Sequence, residues 1–155
     1  AAGFRNDEIT AVTRTGATHP LDFDRRLKAV ARFRQMQTAA SLAGANKRIR
    51  NILRRAEQDV PLQVDDALFE HQAEKDLAAA LVRTSTAVWP LVERSDYTRA
   101  LKQLAQLSEP VDRFFEDVLV MAEDQDKRSN RLAQLNQLAN LFLAIADISH
   151  LQPGD

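Results

Sequence analysis

An all-α helical bundle is the fold class this chain predicts. Four glycines and five prolines in 155 residues leave too little turn punctuation for a strand-rich fold, and Ala, Leu, Gln, Arg and Glu, good helix formers, dominate the composition. Apolar residues recur at the three-to-four-residue spacing of amphipathic helices. A hydrophobic content of 45% with 28% charged residues is ordinary for a soluble globular protein, and the length suits one domain with a real core.

Each element has its own signal. Asn6 or Asp7 is placed to cap a short helix through about Thr13, and Thr15-Gly16-Ala17-Thr18-His19-Pro20 reads as a loop. A helix is expected from Asp22 to about Met36, with Phe23, Leu27, Val30 and Phe33 on one face and Arg25, Lys28 and Arg32 opposite. A short helical turn from Thr38 to Leu42 is expected to end at Gly44. The next helix runs from Ala45 to about Ala56. Its apolar stripe is Ile49, Ile52, Leu53 and Ala56, with Lys47, Arg50, Asn51 and Arg54 opposite and Arg48 and Arg55 at the edge.

Val60-Pro61 breaks the chain, and an acidic stretch from Asp65 to Asp76 follows. A long helix is expected from about His71 to Val92, kinked or shortened by Pro90. Asp96 caps a helix through Leu107, and Ser108-Glu109-Pro110 starts another that runs from Val111 to about Met121. The last helix spans roughly Asp126 to Ile148. Leu132, Leu135, Leu138, Phe142, Ile145 and Ile148 cover most of its circumference, which places it at the bundle centre, and Asn136, Gln137 and Asn140 form a narrow amide stripe.

A net charge of −1 conceals strong segregation. Residues 25–55 carry ten Lys or Arg and no Asp or Glu, whereas the whole chain has 21 basic and 22 acidic residues. Such a segment is an electrostatic footprint for a polyanion. The bland alternative is a solvated face balancing acidic helices; a mixed-charge solubilising surface, however, intersperses both signs.

Little in the sequence supports catalysis. His19, His71 and His150 are far apart and form no metal-ligand spacing, and neither a glycine-rich phosphate loop nor a nucleophile elbow is present. Acid pairs such as Asp65-Asp66 and Glu123-Asp124 read as solvated carboxylates. The absence of cysteine excludes disulfides and thiolate chemistry, and no apolar run reaches membrane-spanning length.

Three segments resemble the C-terminal portion of the β subunit of bacterial glycyl-tRNA synthetases. They are Leu21-Asp22-Phe23-Asp24-Arg25-Arg26-Leu27-Lys28-Ala29-Val30; Ala45-Asn46-Lys47-Arg48-Ile49-Arg50-Asn51-Ile52-Leu53; and a long stretch from Pro110-Val111-Asp112-Arg113-Phe114-Phe115 through Arg128-Ser129-Asn130-Arg131-Leu132 to Leu141-Phe142-Leu143-Ala144-Ile145-Ala146-Asp147-Ile148-Ser149. The resemblance implies a helical bundle like the DALR anticodon-binding domain of arginyl- and cysteinyl-tRNA synthetases, gripping the anticodon stem-loop of tRNA(Gly). It also implies an α2β2 assembly in the cytoplasm, with ATP and Mg used in the α subunit and no cofactor in this domain. The expected partners are tRNA(Gly), the α subunit and the remainder of the β subunit, with neither DNA nor a membrane. Residues 1–155, starting at Ala1-Ala2 without Met, are expected to be a single domain from a longer protein. One departure is Gln125-Asp126-Lys127-Arg128, where the family carries an acidic-Ala-Leu-Arg stretch; Lys127 in place of Leu is expected to face water.

Arg25, Lys28, Arg32, Lys47, Arg50 and Arg54 are the candidates for the phosphate backbone. Asn46 and Asn51 are candidates for reading bases, Asn46 with the equal alternative of capping its helix. Arg26, Arg34, Arg48 and Arg55 lie within or beside the apolar arcs and are expected to pair with buried acids or lay their stems on the core. Phe114, Phe115 and Phe142 read as core, and Trp89 as a contact residue toward the rest of a parent protein. The rival function is an assembly bundle whose basic face docks on an acidic protein surface.

Overall fold

The computed structural model describes residues 3–152, so the Ala1-Ala2 start lies outside it. Among the described residues there are seven α-helices and no strand: α1 (Asn6–Thr13), α2 (Pro20–Arg34), α3 (Ala39–Arg55), α4 (Gln72–Glu93), α5 (Tyr97–Ala105), α6 (Ser108–Asp117) and α7 (Gln125–Leu143). Short 3-10 turns occur at Asp66–Leu68 and Ile148–His150. The all-α expectation is met. α2 packs on α1 and α5, α4 on α5, α6 and α7, and α3 on α7 and the C-terminal turn.

The core follows the helical faces read from sequence. Leu27, Val30 and Phe33 of α2, Leu77, Leu81 and Val88 of α4, Phe114 of α6, and Leu132, Leu135, Leu138 and Phe142 of α7 are buried together. Residues 130–135 of α7 are buried without interruption, as a helix at the centre of a bundle requires.

Several boundaries differ from expectation, each for a physical reason. α1 is capped at Arg5 rather than at Asn6 or Asp7, and Glu8 reaches back to accept from the Arg5 N–H at 3.0 Å. α2 starts two residues early because Pro20 occupies the first turn, where its fixed φ and missing N–H are harmless. Gly44 does not break the chain; α3 runs through it in helical geometry. An interior glycine costs about 1 kcal/mol, which burial of Leu42, Ala43, Asn46 and Ile49 along one face outweighs. Asn46 therefore lies mid-helix and is not a cap.

Pro90 falls in the last turn of α4, so the helix continues only to Glu93. Ser95, at φ 58°, then closes the end: Asp96 N–H donates to the Leu91 carbonyl and Ser95 N–H to that of Val92. Asp96 caps α5 as expected. α6 stops at Asp117, short of Met121, and the buried guanidinium of Arg131 takes the Leu119 carbonyl at 2.7 Å. α7 is capped by Asp124 and ends at Leu143, not Ile148. Arg26 Nη1 donates to the carbonyls of Ala144 and Ile145 at 2.8 and 2.9 Å, and Asp147 N–H leaves the helical direction for the Ala11 carbonyl. Lys127, half-buried, pairs with Glu70 at 2.6 Å instead of simply facing water.

Candidate nucleic-acid interface

The ten cations of residues 25–55 divide by their partners. Arg26 pairs with Asp22 at 2.8 Å and stacks on Tyr97 at 4.5 Å, and Arg34 pairs with Asp7 and with buried Glu8. These two hold the bundle together, as their place on the apolar arcs predicts. Desolvation by burial pushes Asp7 and Asp22 upward; hydrogen bonds to Asp7 from Gln152 N–H and Arg34, and to Asp22 from Tyr97 and Arg26, more than reverse this and leave both carboxyls below their ordinary value.

The α2 candidates Arg25, Lys28 and Arg32 are exposed, with Lys28 paired to Asp24 at 2.8 Å. On α3, Lys47 and Arg54 are exposed and have no acidic partner among the described residues, and Arg54 Nη2 donates to the side-chain Oδ1 of Asn51 at 2.8 Å. Arg50 is different. Its guanidinium is tied to Asp147 and donates to Ser149 Oγ at 3.1 Å, so part of its charge is already answered. Asn46 is 4% exposed on the inner side of α3, and Asn51 is half-buried.

One residue changes place relative to expectation, and a second, Arg48, lies on the core-packed Phe115 as its helix-edge place predicts but pairs with no acid. Arg55 has no buried acid; it is exposed and shares a shallow hollow of about 450 Å3 with Gly44, Lys47, Arg48 and Asn51. Arg48 likewise has no acidic partner among the described residues, and its guanidinium lies 4.3 Å over the Phe115 ring, a stacked position that still leaves it exposed. At 3.6 residues per turn Arg55 projects closer to Asn51 than Arg50 does, so the helical wheel contained this signal.

The outer face of α3 thus presents Lys47, Arg48, Arg54 and Arg55 without an acid within salt-bridge distance among the described residues. Behind it, a second cleft of about 650 Å3 opens between α3 and α7, lined among others by Arg14, Asn46, Arg50, Asn136 and Asn140. No group of His, Asp or Glu among the described residues has the arrangement of a metal site, and none of their helices is long and apolar enough to cross a membrane. Of the side chains read as core, Phe114 and Phe142 are buried and Phe115 lies beneath Arg48.

Residues 42–151 match the family model of the DALR anticodon binding domain. The chain belongs to that family. The matched span of this DALR domain begins inside α3 and runs through α4, α5, α6 and α7 to the C-terminal turn, while α1 and α2 precede it. The domain is 49% identical over 150 residues to the glycine–tRNA ligase beta subunit of Shewanella amazonensis, covering 97% of the chain and 22% of that relative. It is 49% identical over 150 residues to the Aeromonas salmonicida beta subunit, again 97% of the chain and 22% of the relative. With the Marinobacter nauticus beta subunit the identity is 55% over 135 residues, 86% of the chain and 20% of the relative. The DALR domain therefore spans about a fifth of the length of these curated relatives.

Proposed function

We propose that this domain holds the anticodon arm of tRNA(Gly) for a glycine–tRNA ligase and performs no chemistry alone. The observation that carries the reading is the outer face of α3, where Lys47, Arg48, Arg54 and Arg55 stand exposed without acidic partners among the described residues. Unneutralised guanidinium and ammonium groups on one helix face suit a phosphate backbone, whose neutralisation releases counterions and drives binding. Arg25 and Arg32 of α2 extend the basic surface, and Asn51 beside Arg54 offers an amide to a base. The relatives named as beta subunits support a place in a synthetase of more than one kind of subunit, which in this reading is a cytoplasmic α2β2 assembly. There, glycine activation with ATP and Mg falls to the α subunit, and this domain requires no cofactor.

The test is Lys47→Glu with Arg55→Glu. Neither side chain has a partner within the described fold, so helicity and unfolding midpoint are expected to stay unchanged. Affinity for tRNA(Gly), read by fluorescence anisotropy, is expected to fall at least about tenfold. Arg50→Glu is a poorer probe, because it sets a carboxylate against Asp147. A folded double variant that binds like the parent would show that the α3 face is the wrong surface.

A second reading, assembly through protein contact, has support at another face. Trp89 and Val82 of α4 are 48% and 68% exposed and border a hollow of about 310 Å3 with Leu81 and Leu141. That apolar surface suits the remainder of a beta subunit, and leaves the α3 face to RNA. Sedimentation of the domain with the rest of the synthetase, before and after Trp89→Ser, separates this contact from tRNA binding.

A further inference from the structure

We infer that His150 is a proton-operated release for Arg50: the neutral imidazole helps to hold the Arg50 guanidinium against the C-terminal turn, and the protonated imidazole takes over Asp147 and frees Arg50 for a bound polyanion. The inference rests on the RNA-binding reading above and adds to it a control by pH.

The latch joins α3 to the Ile148–His150 turn that packs on it. From α3, Arg50 Nη1 donates to Asp147 and, at 3.1 Å, to Ser149 Oγ, and it lies 3.3 Å from His150 Nε2. A guanidinium keeps its protons and accepts nothing, so Nε2 faces it with a lone pair and the ring carries its proton on Nδ1. That is the neutral ring. Nη1 has two hydrogens for these three acceptors, so the three share them. His150 Nε2 also lies 3.4 Å from Asp147 Oδ2, the same oxygen that Arg50 holds.

A proton on Nε2 reverses the arrangement. The ring then has no lone pair for Arg50, faces it as a second cation at 3.3 Å, and becomes a donor toward Asp147 Oδ2. Asp147 stays in place in either state, because its side chain is 11% exposed and its Oδ1 accepts from the Ser149 N–H at 3.2 Å. Arg50 is 42% exposed and has water on its open side. The guanidinium is therefore the partner that leaves, on a helix whose Lys47 and Arg54 already stand without acids among the described residues.

The other charged groups around the turn make no bond to the ring. On α1, Asp7 is taken by Arg34 and the Gln152 N–H, Glu8 by Arg34, and Arg14 lines the α3–α7 cleft together with Asp147. On α2, Arg34 donates to the Gln152 carbonyl at 2.8 Å. On α3, Lys47 borders a hollow with Ser149 and Leu151. Among the described residues the charged partners of the imidazole are Arg50 and Asp147.

The test has two readouts on the full chain. Without RNA, an NMR titration between about pH 5 and 8 is expected to move the Arg50 Cζ resonance together with the ring resonances of His150. In His150→Gln, whose amide can accept from Arg50 but takes no proton, Arg50 is expected to stand still. With tRNA(Gly), anisotropy is expected to show about threefold tighter binding at about pH 6 than at about pH 8. His150→Gln and Arg50→Gln are each expected to remove that gain. A gain retained in full by Arg50→Gln would mean that the imidazolium charge attracts RNA by itself, and would overturn the release. An Arg50 resonance that stays fixed while His150 titrates would overturn it whatever the RNA does. A coupled titration in a chain that binds no tRNA(Gly) at any pH would instead overturn the RNA-binding reading, and the gain in affinity with it.

Discussion

Arg131 of α7 donates from Nε to Glu74 of α4 at 2.9 Å, with side-chain exposures of 2% and 1%. The rest of the guanidinium is also satisfied, by Glu70 at 2.9 Å and by the Leu119 carbonyl at 2.7 Å. Glu74 Oε2 in turn accepts from the N–H groups of Glu70 and His71, so one carboxylate both closes the start of α4 and anchors the central helix. A buried pair is costly to break because the survivor keeps its charge without water.

Glu74→Ala is accordingly expected to destabilise the fold by about 3–5 kcal/mol, measured by urea unfolding followed by circular dichroism. Replacing both members, Glu74→Leu with Arg131→Met, is expected to cost less than the sum of the single changes. The same group shapes the pH response. Desolvation pushes Glu74 up, but Arg131 and the His71 and Glu70 N–H groups prevail and hold it below its ordinary value. A lowered carboxyl contributes stability above its unfolded value, about 4.3, and loses it as the pH falls through the folded value. Asp7 and Asp22 act in the same direction. Stability is expected to be flat near neutrality and to decline below about pH 4.5, with a shallower acid limb in the Glu74→Leu, Arg131→Met variant.

Arg26→Leu is expected to cost about 2–3 kcal/mol and to loosen the end of α7. Its guanidinium is the donor to two carbonyls where that helix stops, as well as the partner of Asp22 and Tyr97. Hydrogen exchange at 144–148 should rise in this variant more than exchange in α4, and equal protection in both would refute the capping role.

Two backbone positions should respond in opposite ways to glycine. Gly44 is helical and a Cβ there meets nothing within 4 Å, so Gly44→Ala is expected to stabilise by about 0.5–1 kcal/mol. Ser95 occupies the left-handed region at φ 58°, so Ser95→Gly is expected to stabilise by up to about 1 kcal/mol. Thermal unfolding midpoints check both.

Salt dependence distinguishes phosphate contacts from surface charge. Lys47→Gln is expected to lower the slope of log affinity against log salt by about one. Arg113→Gln on α6, whose charge is already paired with Glu109 at 2.8 Å, is expected to leave the slope unchanged. A Lys47→Gln slope equal to the parent's would remove that side chain from the backbone contact.

The helices were legible because their causes are local. The apolar repeat of α2, the Asp96 cap and the wholly buried middle of α7 each need only a few neighbouring residues to be recognised. The errors fell where distant groups decide. Where α7 ends, the carbonyls of Ala144 and Ile145 are taken by Arg26, more than a hundred residues earlier. At Gly44 a propensity of about 1 kcal/mol lost to burial of a continuous face.

By itself the sequence determined the helical class, the basic stretch of residues 25–55 and the likeness to a family of anticodon-binding domains. Periodicity and charge density are short-range properties, and the order of residues contains them completely. Only the tertiary structure decided which cations are spent on the fold and which remain for a ligand. Arg34 meets Asp7 and Glu8, and Arg50 meets Asp147, because the bundle brings separate segments within ion-pair distance, while Lys47 and Arg55 have no acid within that distance in the described fold. The place of Asn46 is of the same kind: its residue type allows a cap or a reader, and a continuous α3 buries it mid-helix, where its Nδ2 donates to the Leu42 carbonyl.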